Sequence, residues 1–273
     1  MKSVILGLNI NHADSSSCLL IDGEIVAAAE EERFNRIKHW SGFPIKSIDF
    51  CLNEAGIKFE NITDVTINTN PLSNLNYKIF SFLRNYIFGS KKFEIFKRLQ
   101  KKINLKKKLL DTYGKNCKFK LHYIDHHLSH ISSAFYPSGF ENSLGLSIDG
   151  FGDFTSIAIA DCTQRKIKII KKILFPNSLG VFYEAATQLA GFLKYGDEYK
   201  LMGLSAYGKP KYYELIKKNL FIDYDKNLEL NLKHYNFQKK NFSYMFEGEP
   251  NQNIIFDKSV KELFKEFNNF SLD

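Results

Sequence analysis

One order of parts occurs twice in this 273-residue chain, and it constrains the fold more than any other feature. At 4–30, VILGLNINHADSSSCLLIDGEIVAAAE, an apolar run meets a polar turn (Asn11 to Ser17) and a second run, CLLI. Asp22-Gly23 then makes a two-residue hairpin turn into EIVAAA. From 143 the order returns as SLGLSI, a turn DGFGDF, TSIAIA, a turn DCTQRK, and IKIIKKIL. Each copy is strand, acid-bearing polar turn, strand, tight turn, strand, then helix, which implies an α/β chain of two related halves. The expectation is two facing halves with a site between them, into which both first turns, 11–17 and 149–153, point.

Between the copies, Pro44 starts a helix whose apolar residues Ile48, Cys51, Leu52 and Ala55 recur at helical spacing up to Gly56. Strands are expected in ITDVTINTN and FKLHYI. Residues 75–110 are basic and aromatic, with Ile79, Phe80, Leu83, Ile87, Phe93, Phe96 and Leu99 at amphipathic-helix spacing broken near Gly89-Ser90. That segment is either a surface for an anionic partner or membrane, or an inserted helical hairpin with its lysines in water. After the second copy, SLGVFYEAATQLAGFLKYG and EYKLMGLSAYG read as helical, and from Lys211 onward only weak helices and loops are expected.

Charge and cysteines exclude several classes. The net charge is +8, but 77–120 holds 14 Lys and Arg against two acids, so the remainder carries −4. Basicity belongs to one segment and does not make the chain a nucleic-acid binder. No run reaches the roughly 18–20 apolar residues of a membrane span, and MKSVILGLNI lacks a signal-peptide cleavage site. Four scattered cysteines without a CxxC pair argue against a disulfide framework or zinc ribbon and for a reducing cytoplasm.

The chemistry concentrates in 124–153, IDHHLSHISSAFYPSGFENSLGLSIDGFGD. His126 and His130 are four apart at the start of a helix, so both imidazoles share one face and reach a single ion. An apolar strand then delivers Asp149 into a glycine-flanked turn, where Gly150 allows close phosphate approach. Two imidazoles and a carboxylate suit Fe(II), Zn or Mn, and spacing does not choose among them. The alternative is a surface helix that carries histidines by chance. His12, in a Ser- and Asp-rich turn with Asp14, is either a general base toward a hydroxyl or a turn residue bonded to its own loop. Arg33, Arg36, Lys38 and His39 follow a strand end, which suits a phosphate or simply a solvated loop, and Lys200 faces nucleotide or water.

The order NHADSSSCLLIDGEIVAAAEEERFNRIKHWSGFP, DHHLSHISSAFYPSGF, SIDGFGDFTS, GVFYEAATQLAGF and KLMGLSAYG resembles the O-carbamoyltransferase family of nodulation and antibiotic enzymes over about residues 3–210. The resemblance implies a duplicated actin/sugar-kinase-like ATPase fold, ribonuclease H-like in each half. It divides the chain into a first subdomain at 1–142 with the basic insertion and an incomplete second at 143–273. It further implies a divalent metal, iron in the characterised type, on His126, His130 and Asp149. Carbamoyl phosphate and ATP would give a carbamoyl adenylate, with His12 assisting attack by the hydroxyl of a sugar-like or glycan acceptor. Lys38, with Asp14, Gly150 and Lys200, would contact substrate or nucleotide. Family members are about twice as long. Their glycine-rich GGVALN-type segment, a further acidic metal ligand and a YrdC-like domain are not found here, so a separate chain is a candidate to carry the C-terminal half. Two other readings are a threonylcarbamoyl-tRNA-synthesis-like ATPase and a non-catalytic remnant that keeps the metal.

Overall fold

The computed structural model describes residues 2–79, 105–224, 227–236, 248 and 254–264. The amphipathic helices expected over most of 75–110 fall largely at 80–104, outside the described residues. The chain divides into two compact units, one built on Met1–Ser129 and the other starting at His130. No helix among the described residues is long and apolar enough to cross a membrane.

The first unit is organised by β1 (Val4–Asn9), whose residues alternate between buried and half-buried. That period of two follows from the pleat, which sends successive side chains to opposite faces. β2 (Ser16–Ile21) and β3 (Glu24–Glu30) continue antiparallel as a meander. Asp22 and Gly23 both have positive φ, 52° and 91°, as a tight hairpin turn requires. A four-residue helix, α1 (Glu32–Asn35), occupies part of the charged stretch where the sequence suggests only loop. α2 (Ile45–Glu54) crosses over to β4 (Asp64–Ile67), and α3 (Leu105–Tyr113) precedes β5 (Lys120–Tyr123). β4 pairs parallel with both β1 and β5, so the sheet order is β3-β2-β1-β4-β5. One antiparallel strand inside an otherwise parallel five-stranded sheet of this order is the ribonuclease H-like arrangement.

The apolar stripe of α2 explains why it sits on that sheet. Ile48, Cys51 and Leu52 are buried against Leu6, Leu8, Val65 and Ile67. Its N-terminus is held by Glu31, a buried carboxylate that accepts from the amides of Lys46 (3.2 Å) and Ser47 (2.8 Å). A carboxylate there satisfies amides that have no partner within the helix and complements the positive end of the dipole. Both expected central strands form, but each is only four residues long.

The second unit begins inside helix α4 (His126–Phe135). Its sheet is the antiparallel meander β6 (Asn142–Gly152), β7 (Thr155–Thr163) and β8 (Lys166–Leu174), in that spatial order. Ile131 and Phe135 of α4 pack on Ala158, Ala160 and Cys162 of β7. α5 (Leu179–Leu189), α6 (Glu198–Ser205) and α7 (Tyr213–Leu220) follow. A two-stranded ribbon, β9 (Phe221–Asp223) with β10 (Glu229–Leu230), and α8 (Lys258–Leu263) complete it. Val181, Ala185, Leu220, Tyr235 and Ile255 centre a second core there.

The two meanders differ at their first turn. β1 and β2 are joined by the loop 10–15, whereas β6 runs on through Asp149 and turns only at Asp153 and Phe154, both with positive φ. Ile148 pairs with Ile157 and Gly152 with Thr155, so two extra residues bulge out of β6. Asp149 therefore sits in a strand bulge and not in a free turn. A bulge re-aims a side chain by breaking the alternation of the strand.

Candidate metal centre

Asp125 caps α4. Its carboxylate accepts from the amides of His127 (3.1 Å) and Leu128 (3.2 Å), and Ser73 Oγ donates to it at 2.9 Å. This cap places His126 in the first turn of the helix and His130 one turn later. His126 is buried, and its Nδ1 lies 3.3 Å from the carbonyl oxygen of Asn68. A carbonyl only accepts, so Nδ1 carries the proton and the lone pair sits on Nε2, the tautomer a metal ligand needs.

The anchoring continues one layer out. Asn68 Nδ2 donates to Asn9 Oδ1 at 3.1 Å, and Asn9 Nδ2 donates to the carbonyl of Asp14 at 2.6 Å. The turn holding His12 is thereby tied to the strand end that holds His126. The two rings lie with centroids 6.1 Å apart. His12 Nδ1 donates to the carbonyl of Ala13 at 3.0 Å, again putting the lone pair on Nε2. So both readings of His12 have a physical basis: it bonds its own loop, and that bond leaves a basic nitrogen.

His130 is half exposed, with Nε2 3.7 Å from Asp149 Oδ2. One ligand atom from each of His126, His130 and Asp149 lies within 4.8 Å of the others. Asp149 is aimed by its surroundings: its Oδ1 accepts from the Gly150 amide at 2.6 Å, and Ser178 Oγ donates to the carbonyls of Asp149 (3.1 Å) and Gly150 (2.6 Å). Two imidazoles and a carboxylate that converge from a helix and a bulged strand fit a divalent transition metal by donor type.

The remaining sequence candidates are placed differently. Asp14 bonds His39, with Oδ1 2.8 Å from Nδ1, while the His39 amide donates to Glu32 Oε2 at 2.7 Å. Asp14, Glu32 and His39 thus form a second cluster of possible ligand atoms, already cross-linked by these bonds. Lys38 is exposed on the adjoining turn. Lys200 is paired with Asp197 at 2.7 Å; that hydrogen bond lowers the Asp197 carboxyl and raises the Lys200 ammonium relative to their ordinary pKa values. His127, beside the pair in sequence, is fully buried and stacks edge-on against His126. Sequence reasoning missed Asn9, Asn68, Asp125 and Ser178 as supports. Asp125 and Ser178, each at the start of an expected helix, carried a local capping signal, whereas Asn9 and Asn68 carried none.

Residues 4–268 match the model of the family described as carbamoyltransferase N-terminus. The chain belongs to that family. It is 37% identical over 243 residues to protein sll1178 of Synechocystis, covering 85% of this chain and 39% of that one. To the nodulation protein NolNO of Sinorhizobium fredii it is 35% identical over 213 residues, covering 74% and 30%. To MJ1051 of Methanocaldococcus jannaschii it is 34% identical over 204 residues, covering 75% and 33%. The chain therefore spans roughly a third of the length of these relatives. Solved structures with a weaker likeness include YeaZ from Pseudomonas aeruginosa, at 13% identity and a TM-score of 0.38 over 64% of this chain and 70% of that one. Component A of the (R)-2-hydroxyglutaryl-CoA dehydratase of Acidaminococcus fermentans has 14% identity and a TM-score of 0.40 over 76% and 60%.

Proposed function

We propose that this chain is the N-terminal portion of an O-carbamoyltransferase that moves a carbamoyl group from a carbamoyl adenylate to a hydroxyl of a sugar-like acceptor. The observation that carries the reading is the family match across residues 4–268. His126, His130 and Asp149 would hold a divalent metal, with Fe(II), Zn and Mn all compatible with the donors. Such an ion, when bound, supplies Lewis-acid polarisation of a carbonyl or phosphoryl oxygen.

The residues of the chain divide the remaining work. His12 Nε2 takes the proton of the acceptor hydroxyl as its oxygen attacks the carbamoyl carbon; the bond from that carbon to the phosphate oxygen breaks, and AMP leaves. The adenylate is made from carbamoyl phosphate, ATP and water, with phosphate leaving the carbamoyl donor and pyrophosphate leaving ATP. Lys38, exposed on its turn, is proposed to meet the adenylate, and Gly150, with open space at its Cα, to admit phosphate. Asp14 steadies the same turn through His39. Lys200 reaches nucleotide by exchanging the Asp197 carboxylate for a phosphate. We place the reaction in the cytoplasm, where four cysteines without a disulfide stay reduced.

The test is metal content and transfer together. Purified chain supplied with Fe(II), Zn or Mn should retain one equivalent. The double variant His126→Ala, His130→Ala should retain none, and unchanged metal content would sink the site assignment. Carbamoyl-dependent release of AMP in the presence of a polyol acceptor should disappear in His12→Ala and survive in His122→Ala.

A further inference from the structure

The first unit holds a cavity that the proposed chemistry does not use. β5 pairs with β4 alone among the described strands. A cavity of about 580 Å³ lies beside it, lined by residues 121–124 and 70–72. Successive strand residues point to opposite faces, so a cavity lined by consecutive residues of one strand follows its edge. Its volume falls in the range of small-molecule pockets.

The backbone decides what a ligand meets there. The amides of Lys120 and Ile124 donate inward, to the carbonyls of Thr63 (2.9 Å) and Ile67 (2.8 Å). Alternate residues of a strand face its partner, so Leu121 turns both its N–H and its C=O toward the open edge. His122 adds an acceptor. Its Nε2 lies 2.7 Å from Asp64 Oδ1, and a carboxylate accepts, so in the neutral ring Nε2 carries the proton and Nδ1 the lone pair. That bond also holds the Asp64 carboxyl below its ordinary pKa. Pro71, Leu72 and Ile124 give the cavity an apolar wall, with Leu72 72% exposed at its rim.

The charges around it are already engaged. Asp64 accepts from His122 and has Lys120 opposite it in register. Lys78 Nζ donates to the carbonyls of Asn70 (3.3 Å) and Pro71 (3.0 Å), which also ties down the far wall. An ionic ligand would have to break these pairs, whereas an uncharged one leaves them intact.

We propose that this cavity binds an uncharged aromatic lactam, a flat ring whose edge carries one N–H donor beside one C=O acceptor. That edge meets Leu121 as the opposite residue of an antiparallel ladder would, N–H to C=O and C=O to N–H. The ring face rests on Pro71 and Leu72, and His122 Nδ1 is placed to accept from a further donor on the ring. The inference concerns binding at a second site and does not rest on the metal centre or on carbamoyl transfer.

Carbostyril and N-methylcarbostyril differ by the lactam donor alone. Each is titrated into the full chain, with affinity read from carbostyril fluorescence and the contact mapped by backbone amide shifts. The expected result is saturable one-to-one binding of carbostyril, at least tenfold tighter than its N-methyl analogue, with shifts centred on 70–72 and 121–124. Leu72→Asp, at an exposed position, should weaken it at least fivefold, while Leu144→Asp, at an equally exposed leucine of β6, should not change it. Equal affinity for the two compounds, shifts centred elsewhere, or binding indifferent to Leu72→Asp would each overturn the assignment.

Discussion

His126 is oriented through one of its two ring nitrogens. Nδ1 is spent on the Asn68 carbonyl, which fixes the ring, whereas His130 is half exposed and reaches only 3.7 Å from Asp149. Pre-orientation of this kind belongs to the supporting residues as much as to the ligand. Asn9→Ala removes the acceptor that holds the Asn68 amide, and should weaken zinc binding by about 10–100-fold in a chelator-competition titration. Ser178 is a second support. It caps α5 by accepting from the Val181 amide at 3.0 Å and fixes the Asp149 backbone with its own hydrogen. Ser178→Ala should cost about 1 kcal/mol in urea unfolding, as lost caps do, and should lower metal affinity as well.

At the scale of elements, two glycines decide how closely helices approach the strand that carries Asp149. Gly145 lets α4 lie on β6, and Gly180 lets the first turn of α5 touch the bulge. Overpacking at such positions costs about 1–3 kcal/mol, so Gly145→Ala and Gly180→Ala should each lower the urea midpoint. Gly7→Ala is the control: the nearest atom to an added Cβ is 3.5 Å away, an ordinary contact, so its effect should be much smaller. Helix and strand periodicity were legible at this scale. The meanders, α2 with its stripe of Ile48, Cys51 and Leu52, and α4 all follow from spacing, because burial of one face imposes the period. The bulge at Asp149 was not legible, since DGFGD suits a turn as well as a bulge and only the pairing of β7 chooses between them.

For the whole molecule, each unit has its own core and its own sensitivities. Ile48 is fully buried at the centre of the first, and Ile48→Ala should cost about 2–5 kcal/mol in that unit. In the second, burial lowers the pKa of His234 from its usual 6.5, with Lys233 adding to the shift and Asp257 opposing it. The folded state then binds the proton less readily than the unfolded chain. Stability from this group is complete above pH 6.5 and is lost as pH falls from there through the depressed value. Thermal unfolding from pH 7 to 5 should show that decline, and His234→Gln should flatten it.

The sequence by itself determined the period of each element, the duplicated order of parts, the two histidines on one helical face and the family to which the motifs belong. These are local or repetitive properties, written in spacing that a helix or strand must obey. Tertiary structure alone decided that Asn9 and Asn68 link His12 to His126, that Asp149 leaves a bulge, and that Lys200 is engaged by Asp197. It also decided that Leu6 and Leu8 are covered while Leu144 and Leu146 are not. The two copies share the LGL pattern; among the described residues what differs is a covering helix on that one face and a second paired strand, a long-range arrangement that no spacing rule within β6 encodes.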